Sequence, residues 1–195
     1  IFIFHAFLRC KADTSFFFSF AVAQKEPTRG DFTDRYMFTA DYTYPSSEKL
    51  YDWELGYTYT APRLSLGVNL YYMKYKDQLV PTGMVNDDSN ALNTNVPDSY
   101  RRGVELSASW RATGWFTVGA NATFSQNRIE NYVDALKDSP TYGKELGDMT
   151  IAYSPDVIAN AFLNFHHRGF EAVFHTQHVG KHIEFASESE ILAVG

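Results

Sequence analysis

Cysteine and long apolar runs are both scarce in this sequence. Cys10 is the single cysteine among 195 residues, which excludes a disulfide framework or a cysteine-based metal cluster. No stretch reaches the roughly 18 consecutive apolar residues of a membrane-crossing helix. Membrane-crossing strands stay possible, because they alternate apolar and polar residues and average to a modest hydropathy, here -0.30.

Positive charge is in short supply as well. The chain has 17 Lys and Arg against 23 Asp and Glu, for a net charge of -6. Binding to nucleic acid irrespective of its sequence depends on cations that neutralise phosphates. We therefore expect no nucleic-acid partner.

Motifs that carry catalysis or metal binding are absent. The sequence contains no G-x-S-x-G, H-E-x-x-H or C-x-x-C pattern. His175 and His178 are separated by an odd number of positions, so they point to opposite faces of a strand and cannot share a metal there. We expect no catalytic residue, no metal site, no cofactor and no enzymatic activity.

Aromatic residues are abundant, with 16 Phe, 13 Tyr and 3 Trp, which favours strands and interfaces. Apolar and polar residues alternate with period two on both sides of three short connections, near residues 61–63, 112–115 and 167–169. Each such pair predicts a β-hairpin.

The connections between these hairpins are long and polar, near residues 25–47, 76–98 and 131–149. Outer-membrane barrels alternate short periplasmic turns with long extracellular loops in this way. The strands also exceed the globular mode of about 5–6 residues, and Tyr and Trp concentrate at both strand ends, as a membrane-interface girdle requires. The sequence therefore predicts an all-β, antiparallel meander of about seven long strands that forms part of a transmembrane β-barrel.

The chain divides into three predicted parts. Residues 15–182 form the partial barrel, while residues 1–14 and 183–195 lack the alternation and are expected to be irregular. Arg9 and Lys11, the apolar run at residues 14–20 and the small residues at 21–23 could also form a signal peptide. We favour a strand over residues 15–24, because Asp13 interrupts the edge of that run.

Four segments resemble the barrel of TonB-dependent receptors: SFAVAQKEPT at 19–28, YDWELGY at 51–57, LYYMKYKDQL at 70–79 and NVPDSYRRGVEL at 95–106. Their order and spacing extend the resemblance across about residues 15–180. The resemblance implies a 22-stranded barrel with an internal plug, of which this chain would be a fragment. It also implies four partners: outer-membrane lipid, the receptor's own plug domain, the TonB complex, and an extracellular nutrient such as an iron–siderophore complex, haem or a vitamin.

Two groups of residues are candidates for function within this interpretation. The lumen-facing or plug-contacting candidates are Glu54, Asn69, Arg101, Glu105, Asn121 and Asn160. A charge on a barrel's inner face needs a partner or water, so we expect Arg101 to be able to pair with Glu54 or Glu105. The extracellular ligand-contact candidates are Tyr132 and Tyr142, because loops held by a rigid scaffold commonly carry recognition.

Two alternatives remain open from the residues alone. One is a complete small outer-membrane barrel of about eight strands, acting as a channel or adhesin. The other is a soluble β-sandwich binding module, in which one face of each strand would be buried against a second sheet.

Overall fold

The computed structural model describes residues 1–11, 13–33, 44–85, 89, 91–134 and 140–182. These form nine strands and one short helix, α1 (Arg29–Thr33). The strands are β1 (Phe2–Lys11), β2 (Thr14–Lys25), β3 (Glu48–Thr60), β4 (Leu64–Val85), β5 (Ala91–Arg111), β6 (Phe116–Val133), β7 (Glu145–Thr150), β8 (Val157–His167) and β9 (Phe170–Val179). The described residues contain no helix that is both long and apolar enough to cross a membrane.

All nine strands lie in one antiparallel sheet. The order is β1-β2-β3-β4-β5-β6-β8-β9, and β7 pairs with β6 beyond the end of β8. The predicted antiparallel meander and its three short turns are confirmed, with turns between β3 and β4, β5 and β6, and β8 and β9. A two-layered sandwich is not formed by the described residues.

Residues 1–14, predicted to be irregular, contain β1 instead. This strand pairs with β2 from Phe2, which faces Val22, to Lys11, which faces Thr14. The period-two criterion missed it because apolar residues occupy consecutive positions at its start, leaving no alternation to detect. The predicted strand at residues 15–24 is confirmed within β2, and the predicted irregular tail at 183–195 lies outside the described residues.

The predicted loop at residues 76–98 is wrong, because strands β4 and β5 run through most of it. Their pairing continues beyond Lys76 and Asp98 at least to Pro81, which faces Asn93. The segment at 131–149 is likewise shorter than predicted, since β6 extends to Val133 and β7 begins at Glu145. Residues 86–88, 90 and 135–139 of these segments lie outside the described part.

Side-chain direction reverses partway along the long strands. Up to Tyr75, the odd-numbered side chains of β4 lie on the same side of the sheet as the buried Ser99. Beyond Asp77, the buried side chains of β4 are instead the even-numbered Gln78 and Val80. Asp77 has a φ of 54° and Asn131 of β6 a φ of 49°. A left-handed residue in a strand re-aims the side chains that follow it. The period-two pattern is therefore interrupted at Asp77, and the polar residues around it resemble a loop in the sequence.

The two faces of the sheet differ in chemistry. On one face, Leu55, Leu70, Val104 and Phe124 lie in a continuous row across β3, β4, β5 and β6. Leu55, Leu70 and Phe124 are 44–51% exposed. We call this the apolar face, and the opposite one the polar face. An exposed apolar band of this kind is what a lipid-facing wall presents.

A row of aromatic rings borders the apolar band. Phe20, Trp53 and Tyr72 face one another across β2, β3 and β4, with ring centroids 5.2 and 5.8 Å apart. The neighbouring Tyr71 and Tyr75 of β4 lie on the polar face, because odd and even positions of a strand alternate between faces. At the opposite strand ends, the rings of Phe116 and Phe165 stack at 4.6 Å.

Candidate functional site

The six lumen candidates lie together on the polar face. Asn69 pairs directly with Glu105, and Asn121 pairs directly with Asn160. Glu54 pairs with Tyr71, two positions from Asn69, and Arg101 pairs with Met73 in the next row. Directly opposed residues of antiparallel strands project to the same side, so the sheet assembles all six into one surface. That this surface faces a lumen stays a prediction.

Two hydrogen bonds link members of this set across neighbouring strands. The amide Nδ2 of Asn69 donates to Oε2 of Glu105 at 3.2 Å, and Nδ2 of Asn160 donates to Oδ1 of Asn121 at 2.9 Å. Both bonds join residues that are direct cross-strand partners. They tie the polar face together along β4–β5 and along β6–β8.

Arg101 has a different partner from the one expected. Its Nη1 donates to Oγ of Ser154 at 2.8 Å, and the described ion pairs include none between Arg101 and Glu54 or Glu105. The pairing that the sequence allowed is therefore not formed among the described residues. Ser154 reaches Arg101 because residues 151–156 leave the sheet between β7 and β8.

This excursion of the chain is held by β6. The backbone N–H of Ile151 donates to the carbonyl of Asn127 at 3.1 Å, and that of Ser125 donates to the carbonyl of Asp156 at 2.8 Å. Oγ of Ser125 adds a bond to the carbonyl of Pro155 at 3.0 Å. Sequence reasoning missed this element, although the Pro155 that follows Ser154 is a signal for a break in a strand.

Three buried oxygens on the polar face have no hydrogen-bond partner within the described part of the chain: Asp52 Oδ1, Asn69 Oδ1 and Asn164 Oδ1. Asp52 was not among the candidates, although it alternates with Glu54 and so shares its face. A buried acceptor without a donor is costly. These atoms therefore favour a further polar layer over this face.

Aromatic rings cover glycines on the same face. The side chain of Tyr71 lies over Gly103, its direct partner, so that a Cβ built on Gly103 would be 2.6 Å from Oη. Phe162 covers Gly119 in the same way, at 2.3 Å from Cε1. Such cross-strand pairs of a ring and a glycine stabilise a curved sheet, and they give the polar face an aromatic component that the sequence did not indicate.

Tyr132, predicted as a loop residue that contacts ligand, is buried in β6. It is 2% exposed and packs in a cluster at the long-connection ends of the strands, which also contains Val80, Val96, Ile129, Met149 and Ile151. Asn131, with its positive φ, turns the next side chain into this cluster. Tyr132 is therefore a core residue of the strand ends.

Tyr142, the second loop candidate, is 45% exposed in a turn before β7. Its position agrees with the predicted loop, and its contact with a ligand stays a prediction. The described residues contain no group of three or more His, Cys, Asp or Glu side chains arranged to hold a metal ion.

A family comparison agrees with this architecture. The model of the family described as TonB dependent receptor-like, beta-barrel matches residues 11–186. No curated protein sequence matches the chain.

Solved receptors share the fold. Copper transporter OprC matches 91% of this chain with a TM-score of 0.69 at 16% identity, and the ferric yersiniabactin uptake receptor FyuA from Yersinia pestis matches 96% with 0.64 at 18%. The ferric-catecholate import receptor Fiu from E. coli K12 matches 95% with 0.61 at 16%.

The chain spans about a quarter of each solved receptor, with 26%, 27% and 25% of their lengths covered. It is thus similar to one continuous part of a larger barrel. The chain belongs to the TonB-dependent receptor-like β-barrel family, whose members are transporters of the bacterial outer membrane and not enzymes.

Proposed function

We propose that this chain is one segment of the wall of a TonB-dependent importer, with its apolar face against lipid and its polar face toward the lumen and plug. The observation that carries the proposal is the separation, by strand register, of an apolar row from a hydrogen-bonded polar row. Leu70, Val104 and Phe124 form a row on one side, while Asn69 and Glu105 are bonded on the other. A barrel that encloses a polar interior within lipid requires this division.

The plug is the partner that the polar face would contact. The partnerless oxygens of Asp52 and Asn69 supply acceptors for backbone or side-chain donors on such a domain. Glu105 is exposed despite its bond to Asn69, so its carboxylate can accept a further bond or pair with a cation. Energy from the TonB complex would then act on the plug and not on this wall.

The nutrient would be a metal ion or an iron chelate. This proposal derives from the relatives, whose names refer to copper, ferric yersiniabactin and ferric catecholate. Loops at the long-connection ends of the strands would contact it, with Tyr142 as the exposed aromatic candidate. Tyr132 would act indirectly, by holding the ends of β4, β5 and β6 together.

Cysteine labelling of intact cells tests the orientation of the wall. In a Cys10→Ser background of the full receptor, Ser89→Cys places a thiol at the long-connection end, and Thr113→Cys places one in the short turn between β5 and β6. An impermeant maleimide should label the first variant in intact cells and the second only after the outer membrane is broken. The reverse pattern would place the short turns outside and contradict the proposal.

A further inference from the structure

The side-chain amide of Asn95 in β5 holds the chain just before β3 begins. Its Oδ1 accepts a hydrogen bond from the backbone N–H of Ser46 at 2.9 Å, and its Nδ2 donates to the carbonyl of Ser46 at 3.0 Å. The same Nδ2 donates to the carbonyl of Asp77 in β4 at 2.7 Å. The oxygen and both N–H groups of the amide are therefore used. This side chain links β5 to the entry of β3, although β4 lies between these two strands in the sheet.

Asn93, two positions before Asn95, holds the other end of the same connection. Its Nδ2 donates to Oδ1 of Asp31 in α1 at 2.9 Å. The second carboxylate oxygen of Asp31 accepts bonds from the backbone N–H and the hydroxyl of Thr28, each at 2.7 Å. A hydrogen bond to a charged acceptor is stronger than one between neutral groups. The segment that follows β2 and the segment that precedes β3 are thus bonded to one short stretch of β5.

The two segments also contact each other. The ring centroids of Phe32 and Tyr44 are 6.4 Å apart, within the range of favourable aromatic pairs. The hydroxyl of Ser47 donates to Oε2 of Glu26 at 2.5 Å. Both segments therefore form one unit with β5. We call residues 26–33 and 44–47, the described parts of the connection between β2 and β3, the strap.

The strap passes the edge of β4 where β3 no longer covers it. β3 begins at Glu48, whereas β4 continues to Val85. The backbone N–H of Leu79 on this edge donates to Oε2 of Glu48 at 3.2 Å. Pro81 follows two positions later on the same edge and has no N–H to leave unpaired. Proteins commonly cover an open strand edge with a loop, and the strap has that place in this fold.

The strap lies on the side of the sheet opposite to the small core at the long-connection ends. That core lies over the polar face, because its residue Ile129 is the direct partner of Ser99. Val96 of β5 packs in the same core. Asn95 immediately precedes Val96, and Asn93 lies two positions earlier, so both asparagines project from the opposite side. The strap that they bind is therefore on the side of the apolar face.

We propose that the strap fastens the β4–β5 hairpin to β2 and β3, and that Asn93 and Asn95 are the residues that position it. Strap and hairpin then move as one body. The base of the β2–β3 connection is held away from the polar face, so it cannot swing over that face without first breaking its bonds to both asparagines. The fastening is independent of the proposed function, whereas its consequence, that this base does not cover the nutrient in the lumen, rests on that function.

Disulfide formation in the full receptor tests where the strap lies. In a Cys10→Ser background, Ser46→Cys combined with Asn95→Cys should form a disulfide under mild oxidation, because these two residues are in direct contact. The matched control combines Ser46→Cys with Thr94→Cys, since Thr94 adjoins Asn95 but is 7% exposed on the side of the core. Mass spectrometry of linked peptides after non-reducing digestion measures both. Absence of the Asn95 linkage, or equal linkage in the control, would overturn the proposal.

Amide hydrogen exchange of the full receptor in detergent measures the strength of the fastening. Asn93→Asp places a second carboxylate against Asp31, so exchange in the peptide that covers residues 28–33 should accelerate at least about tenfold, as expected for loss of a hydrogen bond to a charged group. The swapped variant Asp31→Asn, Asn93→Asp restores one donor and one acceptor and should recover most of the protection. Asn131→Asp adds the same charge to an exposed side chain of β6 and should leave this exchange unchanged.

Heat-modifiable gel mobility establishes that each variant is folded before exchange is measured. Unchanged exchange in Asn93→Asp would show that this bond does not hold the strap. Acceleration that the swapped variant fails to reverse would show that the added charge, and not the lost contact, is the cause. Either result would overturn the proposal. Labelling of Ser89→Cys reports the orientation of the wall separately, so a reversed pattern there would contradict the proposed function and leave the fastening as it stands.

Discussion

The side chain of Tyr71 lies directly over the α-carbon of Gly103 on the neighbouring strand. A methyl group on Gly103 would approach the tyrosine Oη to 2.6 Å and the backbone carbonyl oxygen of Phe124 to 2.4 Å. The ring could rotate away, but the carbonyl belongs to β6 and cannot move without disturbing the pairing of β5 with β6. Gly103 is therefore fixed by close approach on both sides.

Gly103→Ala should consequently destabilise the folded receptor by about 1–3 kcal/mol, the usual effect of overpacking a filled space. The measurement is a urea titration of the receptor refolded into lipid vesicles. Gly114→Ala is the matched control, because a methyl there meets no described atom within 4 Å. Equal urea midpoints for the two variants would show that the sheet accommodates a methyl group at position 103, and would contradict the prediction.

Adjacent residues on β5 should respond oppositely to a change of charge. Leu106→Arg places a guanidinium on the apolar face and should cost about 2–4 kcal/mol near the bilayer midplane. Glu105→Gln keeps an oxygen that can accept the bond from Asn69, so it should refold normally. Uptake by this variant should be unchanged, or reduced if Glu105 pairs with a plug cation. Normal refolding of Leu106→Arg together with failure of Glu105→Gln would invert the assignment of faces.

The two loop tyrosines should separate into a structural and a surface residue. Tyr132→Ala removes a ring that is 2% exposed and should cost about 3–5 kcal/mol, as truncation of a buried aromatic does. Tyr142→Ala, at 45% exposure, should change stability by less than about 0.5 kcal/mol. Denaturant midpoints measure both effects. A selective loss of nutrient binding in Tyr142→Ala would support its role as a ligand contact, and unchanged binding would remove it from the candidates.

Acid should weaken the long-connection ends of β4 and β5 through Asp98, which lies beyond the exposed apolar band. The hydrogen bond from Lys76, together with Lys74, lowers the pKa of the Asp98 carboxyl below its ordinary value of 3.8. A carboxylate with a lowered folded-state pKa stabilises the fold above its unfolded pKa, and this contribution disappears as pH falls through the folded pKa. Unfolding midpoints measured from about pH 6 down to pH 3 should therefore fall less steeply in Asp98→Asn than in the parent. Identical slopes would show that Asp98 makes no pH-dependent contribution.

The sequence predicted the parts of the fold in which alternation is unbroken. Leu64 to Tyr72 and Val104 to Trp110 keep one parity, and the register of β4 with β5 places their alternate residues on the same side of the sheet. Shared parity also brought Asn69 and Glu105 to one face. Asp52 and Tyr71 obey the same rule and could have been included.

Features that depend on backbone conformation could not be predicted in this way. The left-handed residues Asp77 and Asn131 reset the alternation, so the strands beyond them resembled polar loops and Tyr132 resembled a loop residue. The bond from Arg101 to Ser154 depends on an excursion at residues 151–156. Its course is determined by β6, a partner distant in sequence.

The change of side-chain alternation at Asp77 also divides β4 into two parts that should differ in their tolerance of insertions and deletions. Below it, a single insertion would turn every lipid-facing side chain inward, so selection should tolerate few changes of length there. Beyond Asp77, the strands pack around a separate small core, in which Val80 and Val96 contact Ile129. Changes of length at the long-connection ends should therefore be tolerated during evolution more readily than changes in the paired strands before Asp77.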